Sequence, residues 1–114
     1  MKIQGSSIVF DNCFTATLHR TIRLPEDGKS HALPPSRGVF AMKRIEDYRD
    51  RVPEVWRGHG GVFIPMYERE AMWLGFGGAT SAVKIATGKV NAVSGGEWTQ
   101  ELQKPKNVVT DGNW

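Results

Sequence analysis

Apolar and polar positions alternate between Ser6 and Leu24. Apolar side chains occupy most even positions from Ile8 onwards, whereas the odd positions are largely threonine, aspartate, histidine and arginine. Because successive side chains of a strand point to opposite faces of its sheet, this period of two predicts β-structure with one packed face. Asp11 and Asn12 tolerate left-handed dihedral angles, so the stretch is either two strands joined by a tight turn or one strand with a bulge. We favour the two strands.

The segment from Gly60 to Gly96 contains strand and turn signals throughout. Four short apolar runs follow one another here, namely Val62–Met66, Ala71–Phe76, Ala82–Ala86 and Lys89–Val93. The sequences YERE, GGATS and TG between these runs are too short for anything but hairpin-type connections. The segment therefore predicts an antiparallel meander, around which the rest of the chain is organised.

One region has the period of a helix. Over residues 44–57 the apolar and aromatic side chains recur along one helical face, at Ile45, Tyr48, Val52, Val55 and Trp56. Pro53 lacks a backbone N–H and clashes with the preceding helical turn. We therefore predict either a kinked helix or two short helices, with Pro53 at the first position of the second.

Shorter elements are predicted around these regions. They are strands over Lys29–Leu33, Val39–Lys43 and Asn107–Thr110, and a helical turn or two over Glu97–Gln103. A chain of 114 residues is the size of one domain, which we place at 1–114. The predicted class is α+β, with a mainly antiparallel sheet or a partly closed barrel and one helical region at about 44–57.

Composition and charge exclude several classes of protein. A hydrophobic fraction of 39% and a charged fraction of 24% are those of a globular chain rather than a disordered one. No apolar run reaches the roughly 18 residues of a membrane span, and the first residues do not resemble a secretion signal. A cytoplasmic location without membrane contact is therefore expected. The net charge of +3 permits contact with nucleic acid but does not favour it.

Long strings of the chain are more specific than its composition. They are IRLPEDGKSHALPPSRGVFAMKRIEDYRDRVPEVW, GGVFIPMYEREAMWLGF, AVKIATGKVNAVSGGEW and NVV, and the resemblance they carry covers about residues 19–109. The chain resembles a family of uncharacterised conserved bacterial proteins, whose pattern contains GGVF, PMYQ and EAMW followed by AVKV and GKVNAVSG. The resemblance implies a bacterial protein, and it assigns neither an activity nor a role to any residue.

Trp73 is the most informative residue of the predicted meander. Its neighbours on the core-facing side would be Met72, Leu74 and Phe76. Alternation then places Trp73 on the opposite face, and the same argument places Lys84, Lys89 and Asn91 there as well. An exposed tryptophan beside lysine and asparagine is typical of a contact surface. The alternative is that a helix covers this face and Trp73 belongs to a second core.

A second candidate site is the polar turn at Tyr67, Glu68, Arg69 and Glu70. We interpret it as a solvated turn, and the alternative is a pocket that also includes His59. Carboxylates become acid or base catalysts only where burial shifts their pKa, which the sequence does not indicate.

Histidine and cysteine complete the search for chemistry. The three histidines, His19, His31 and His59, and the single cysteine, Cys13, have no metal-ligand spacing. The sequence therefore predicts no catalytic residue, no metal site and no cofactor.

These observations favour a non-enzymatic binding or assembly module over an enzyme. The module would use the face around Trp73, Lys84 and Lys89 to form a homo-oligomer or to bind a protein partner. Two alternatives remain: a small enzyme or metabolite-binding protein with its site near Tyr67–Glu70, and a weak nucleic-acid binder.

Overall fold

The computed structural model describes residues 1–101, which form antiparallel sheets and short helical segments. The strands are β1 (Lys2–Gln4), β2 (Ser7–Phe10), β3 (Phe14–Thr21), β4 (Lys43–Arg44), β5 (Val62–Phe63), β6 (Ala71–Gly78), β7 (Ala86–Thr87) and β8 (Val90–Asn91). A 3₁₀ helix spans Glu46–Tyr48, and helix α1 spans Glu54–His59. The chain divides into two compact units, of which the first is Met1–Ser81 and the second begins at Ala82. The single domain over 1–114 stays a prediction.

The first unit is built on a four-stranded sheet with the order β1-β2-β3-β6. Asp11 and Asn12 both have positive φ, 49° and 59°, at the turn between β2 and β3. The predicted break in the alternating stretch is therefore confirmed. The longest pairing joins β3 to β6 over eight residues, from Phe14 opposite Gly78 to Thr21 opposite Ala71.

Strand β3 is the centre of this sheet because both of its edges are paired. One edge pairs with β6, and the first half of the other edge pairs with β2. Residues 37–40 run along the second half of that same edge. Here the Arg20 N–H donates to the Gly38 carbonyl, 2.9 Å away, and the Phe40 N–H donates to the Leu18 carbonyl, also 2.9 Å away.

The alternation of β3 gives the sheet an apolar and a polar face. The apolar face has Ile3, Ile8, Phe10, Phe14, Ala16, Leu18, Met72, Leu74 and Phe76, which the strand register places together. Fully buried Phe40 lies beside Leu18, and the other buried hydrophobic side chains are Ala16, Met42, Ile45 and Val52. The core is therefore small and draws mostly on the segment that follows residue 39.

The predicted meander is wrong. Strand β5 pairs with β4, and β6 pairs with β3, so that within residues 60–96 only β7 and β8 form a local hairpin. Pro65, which lacks a backbone N–H, lies between β5 and β6 and cannot donate to a ladder there. Pairing along the whole of β3 also gives β6 far more hydrogen bonds than a return onto the two-residue strand β5.

The helical region forms two short helices on either side of Pro53, as one of the two alternatives predicted. Pro53 itself precedes α1 instead of occupying its first position. Val55 and Trp56 are exposed, whereas Ile45 and Val52 are buried and Tyr48 is half-buried with its ring against Phe63, so the inward face of this region consists of Ile45, Tyr48 and Val52. Over the described residues the class α+β with mainly antiparallel sheets is confirmed. None of the three sheets closes on itself, so the partly closed barrel is not confirmed.

The shorter predicted elements have mixed outcomes. Lys29–Leu33 contains no strand, and Val39–Lys43 is represented by one bridge at Val39 and by β4. Glu97 bridges Val90, and residues 97–101 contain no helical turn. The rest of the predicted turn over Glu97–Gln103, at residues 102 and 103, lies outside the described residues. The predicted strand at 107–110 lies outside the described residues.

Candidate functional site

Trp73 lies on the polar face of the four-stranded sheet, as alternation predicts, but it is not an exposed side chain. It pairs across the sheet with His19, and the two rings stack with centroids 3.9 Å apart and an interplanar angle of 12°. The indole Nε1 is sealed from solvent and has no hydrogen-bond partner among the described residues. The prediction that Trp73 is an exposed side chain is therefore wrong, because the ring of His19 covers the indole, and its role as a binding residue stays a prediction.

His19 is held in place from several directions. Its Nδ1 lies 2.9 Å from the Ser36 hydroxyl oxygen, and its backbone bridges Val39. A Cβ at Gly75 would approach the His19 Nε2 to 3.0 Å, so glycine provides the room that the stacked pair needs. Sequence analysis missed this cluster because alternation indicates a face but not the residue opposite on another strand.

Lys84, Lys89 and Asn91 belong to the second unit and are not on the sheet that carries Trp73. The Lys84 ammonium donates to the backbone carbonyls of Thr99 and Glu101 and lies 5.1 Å from the centroid of the Trp98 ring. The Asn91 side-chain oxygen accepts hydrogen bonds from two backbone N–H groups of the turn that follows, at Val93 and Ser94.

The side chains of Lys84 and Asn91 therefore stabilise the second unit. Lys89 is exposed, and its carbonyl accepts the Trp98 N–H at 3.0 Å. The prediction that these three residues and Trp73 share one sheet face is wrong, since the meander that would join them does not form. Their role as binding residues stays a prediction.

The polar turn at Tyr67–Glu70 is held by its last carboxylate. The Glu70 N–H donates to the Tyr67 carbonyl, and Arg69 has a φ of 65°, which places it in the left-handed region. One Glu70 oxygen accepts the Tyr67 N–H at 2.9 Å, and the other accepts Arg20 Nη1 at 2.6 Å. Tyr67, Glu68 and Arg69 are exposed. The turn is therefore solvated, as interpreted, except that Glu70 is a partly buried structural carboxylate.

Arg20 connects this turn to the sheet, a role that sequence reasoning missed. Its guanidinium also donates to the Pro65 carbonyl at 3.2 Å and lies 4.4 Å from the centroid of the Phe40 ring. An arginine at an inward position of an alternating strand is a signal that such a partner exists, because a half-buried charge requires pairing. The partner itself, fifty residues away in sequence, cannot be inferred from the pattern.

His59 is not brought together with the polar turn. It lines a cavity of about 230 Å³ with basic and acidic neighbours that include Arg49, Arg57 and Glu46, and none of residues 67–70 lines it. A larger cavity of about 580 Å³ lies between Met42 and the 47–51 segment. Tyr67, Glu68 and Arg69 therefore do not share this cavity with His59, as the pocket hypothesis required.

The core covers only part of the apolar face of the four-stranded sheet. Phe10, Phe14 and Phe76 form an aromatic row across three strands, with successive ring centroids 6.1 and 5.8 Å apart. Phe76 and Met72 are 48% and 46% exposed, although alternation assigns them to the core side. The face assignment is confirmed, but the face is only partly covered, because the buried side chains gather beside Leu18.

Among the described residues, one ionisable group has a clearly shifted pKa. His31 Nε2 lies 2.8 Å from an Asp27 carboxylate oxygen, and this contact, together with the Lys29 N–H, lowers the pKa of Asp27 below its usual 3.8. Within residues 1–101 no group of three or more histidine, cysteine, aspartate or glutamate side chains is placed to hold a metal. No helix in the same residues has the length and apolarity to cross a membrane.

Comparison with known proteins adds no relative: no family model, curated protein or solved structure matches the chain.

Proposed function

We propose that this protein is a non-enzymatic binding or assembly module whose contact surface is the apolar face of the four-stranded sheet. The sequence predicted a contact surface around Trp73, whereas the proposed surface lies on the opposite face of the strand that carries Trp73. The observation that supports it most is the exposure of Met72 and Phe76, two large apolar side chains at inward positions of one strand.

The chemistry of the face favours a protein as partner. Phe10, Phe14 and Phe76 form an aromatic row on this face. Aromatic residues are enriched in protein–protein interfaces. Arg20 is the only charged side chain that the described sheet contributes to this face, and Glu70 neutralises it. A nucleic-acid surface needs unpaired cations beside its aromatic side chains, so this face favours an apolar protein surface instead.

Methionine oxidation tests the proposal with a control inside the same chain. Met72 is 46% exposed on the face, and Met66 is 44% exposed outside the sheet. Dilute protein should lose both thioethers to peroxide at similar rates, since their exposure is similar. In a concentrated sample or in an extract of the source cell, Met72 should become protected and Met66 should not.

Mass spectrometry of the two methionine-containing peptides measures both rates in one digest. Protection of Met72 alone supports the proposed surface. Equal rates for Met72 and Met66 under every condition would contradict it, because a contact surface must lose solvent when its partner binds.

A further inference from the structure

Among residues 1–101, strand β6 has one paired edge and one open edge. It lies at the end of the sheet order, with β3 as its only strand partner among residues 1–101. No other backbone group of the described chain hydrogen-bonds to residues 71–78 from the outer side. The strand is eight residues long, which is long for an edge.

The register shows which backbone groups lie along the open edge. The N–H and C=O groups of Leu18 and Arg20 point towards residues 37–40, so those of His19 must point towards β6 and pair with Trp73. In an antiparallel ladder this direction alternates along each strand. The residues of β6 whose backbone groups face outwards are therefore Met72, Leu74 and Phe76.

The strand has none of the usual protection against pairing with another strand. Edge strands are commonly blocked by proline, by charged side chains or by being very short. The sequence of β6, AMWLGFGG, contains no proline and no charged residue. The residues whose backbone groups face outwards are the same three whose side chains lie on the apolar face of the sheet, and two of these side chains are about half exposed. The outer edge of β6 therefore offers both backbone hydrogen-bonding groups and exposed apolar side chains to a partner.

We infer that β6 pairs antiparallel with β6 of a second copy of this chain, around a two-fold axis at Leu74. Leu74 then lies opposite its own counterpart, and Met72 of each copy lies opposite Phe76 of the other. The two four-stranded sheets become one sheet of eight strands with a continuous apolar face. This inference rests on the proposed function and names the partner of that surface.

The symmetry of the strand favours a second copy over a different protein. An isologous contact requires a surface that is complementary to itself. Met72 and Phe76, the two exposed apolar side chains, are equidistant from Leu74 along the strand, so a two-fold axis there covers each with the other. An edge contact is smaller than the standard interface of about 1,600 Å², so the dissociation constant should be micromolar or weaker.

A charge-pair experiment tests both the partner and the register. Met72→Glu and Phe76→Lys each place an unpaired charge opposite an apolar side chain in the homodimer, so each should weaken association by at least about tenfold. When the two variants are mixed, one contact joins glutamate to lysine and the other joins the original phenylalanine to methionine. The mixture should therefore form a heterodimer of nearly the wild-type affinity.

Sedimentation equilibrium measures all four samples, with Val55→Glu and Val55→Lys as matched controls. Val55 is apolar and strongly exposed, but it lies on α1 and not on the sheet. Both controls should associate like the wild type. A thermal melt of each variant shows that it is folded.

Two results would overturn the inference: a wild-type protein that stays monomeric at every concentration, or a mixture that associates no better than its two components. These results leave the proposed function standing if Met72 is still protected in cell extract. If Met72 is not protected in cell extract either, both the inferred pairing and the proposed function would be contradicted.

Discussion

Trp73 makes its main contact with one side chain, and this predicts how it tolerates substitution. Replacing it with alanine removes the ring that stacks on His19 and leaves a gap, which should cost about 2–4 kcal/mol of unfolding free energy. Phenylalanine keeps an aromatic ring and removes the sealed, unpartnered Nε1, whose burial is itself unfavourable. Trp73→Phe should therefore cost about 1 kcal/mol or less.

Urea denaturation of the two Trp73 variants measures this difference. Equal losses would show that the indole N–H has a partner in solution. A loss below about 1 kcal/mol for Trp73→Ala would show that the ring is free of His19, as the exposed-anchor hypothesis required.

Asp27 gives a prediction for acid conditions. Its pKa is lowered in the folded protein by His31 and by the Lys29 N–H. The stability that this contact adds is complete above the unfolded pKa, near 3.8, and is lost as the pH falls through the lower folded value. NMR titration of the Asp27 carboxyl carbon should give a midpoint below 3.8. In His31→Ala the midpoint should rise, and an unchanged midpoint would contradict the assigned cause.

Among the elements, the Arg20–Glu70 pair ties the 67–70 turn to strand β3. Its side chains are only 25% and 20% exposed. The Arg23–Glu26 pair has a similar nitrogen–oxygen distance, but its side chains are 62% and 81% exposed. Partial burial reduces screening by water and salt, so the first pair should be coupled by about 1 kcal/mol. The exposed pair should give a value near zero.

Double-mutant cycles with alanine on both pairs provide the measurement and its control. Equal coupling energies in the two cycles would show that burial does not strengthen the Arg20–Glu70 contact.

The same elements show what the sequence could predict. The tolerance of Asp11 and Asn12 for left-handed dihedral angles indicated the break, and alternation indicated the faces of β6, because both are properties of a few neighbouring residues. It did not identify β3 as the partner of β6, since hydrophobic pattern fixes which face is inward but not which strand lies alongside. The candidate surface followed the same limit: Trp73 was singled out, but its cover, His19, comes from a strand more than fifty residues away.

In the first unit, fewer apolar side chains are buried than the alternating pattern of the sequence predicts. Only five hydrophobic side chains are buried in the described residues, while Met72 and Phe76 remain open on the face that alternation assigns to the interior. Large exposed apolar patches on a folded chain mark interaction surfaces. The edge of β6 that is open among the described residues lies along the same strand, so one contact between two copies would cover both the edge and the exposed side chains.

Amide hydrogen exchange along β6 measures whether its outer edge pairs with a second copy. In dilute protein the N–H groups of Trp73 and Gly75, which point towards β3, should be protected, and those of Leu74 and Phe76 should exchange rapidly. As the concentration rises and copies pair, the second group should become protected as well. Strong protection of Leu74 and Phe76 in the most dilute sample would contradict the account, because the edge would then already be occupied within a single chain.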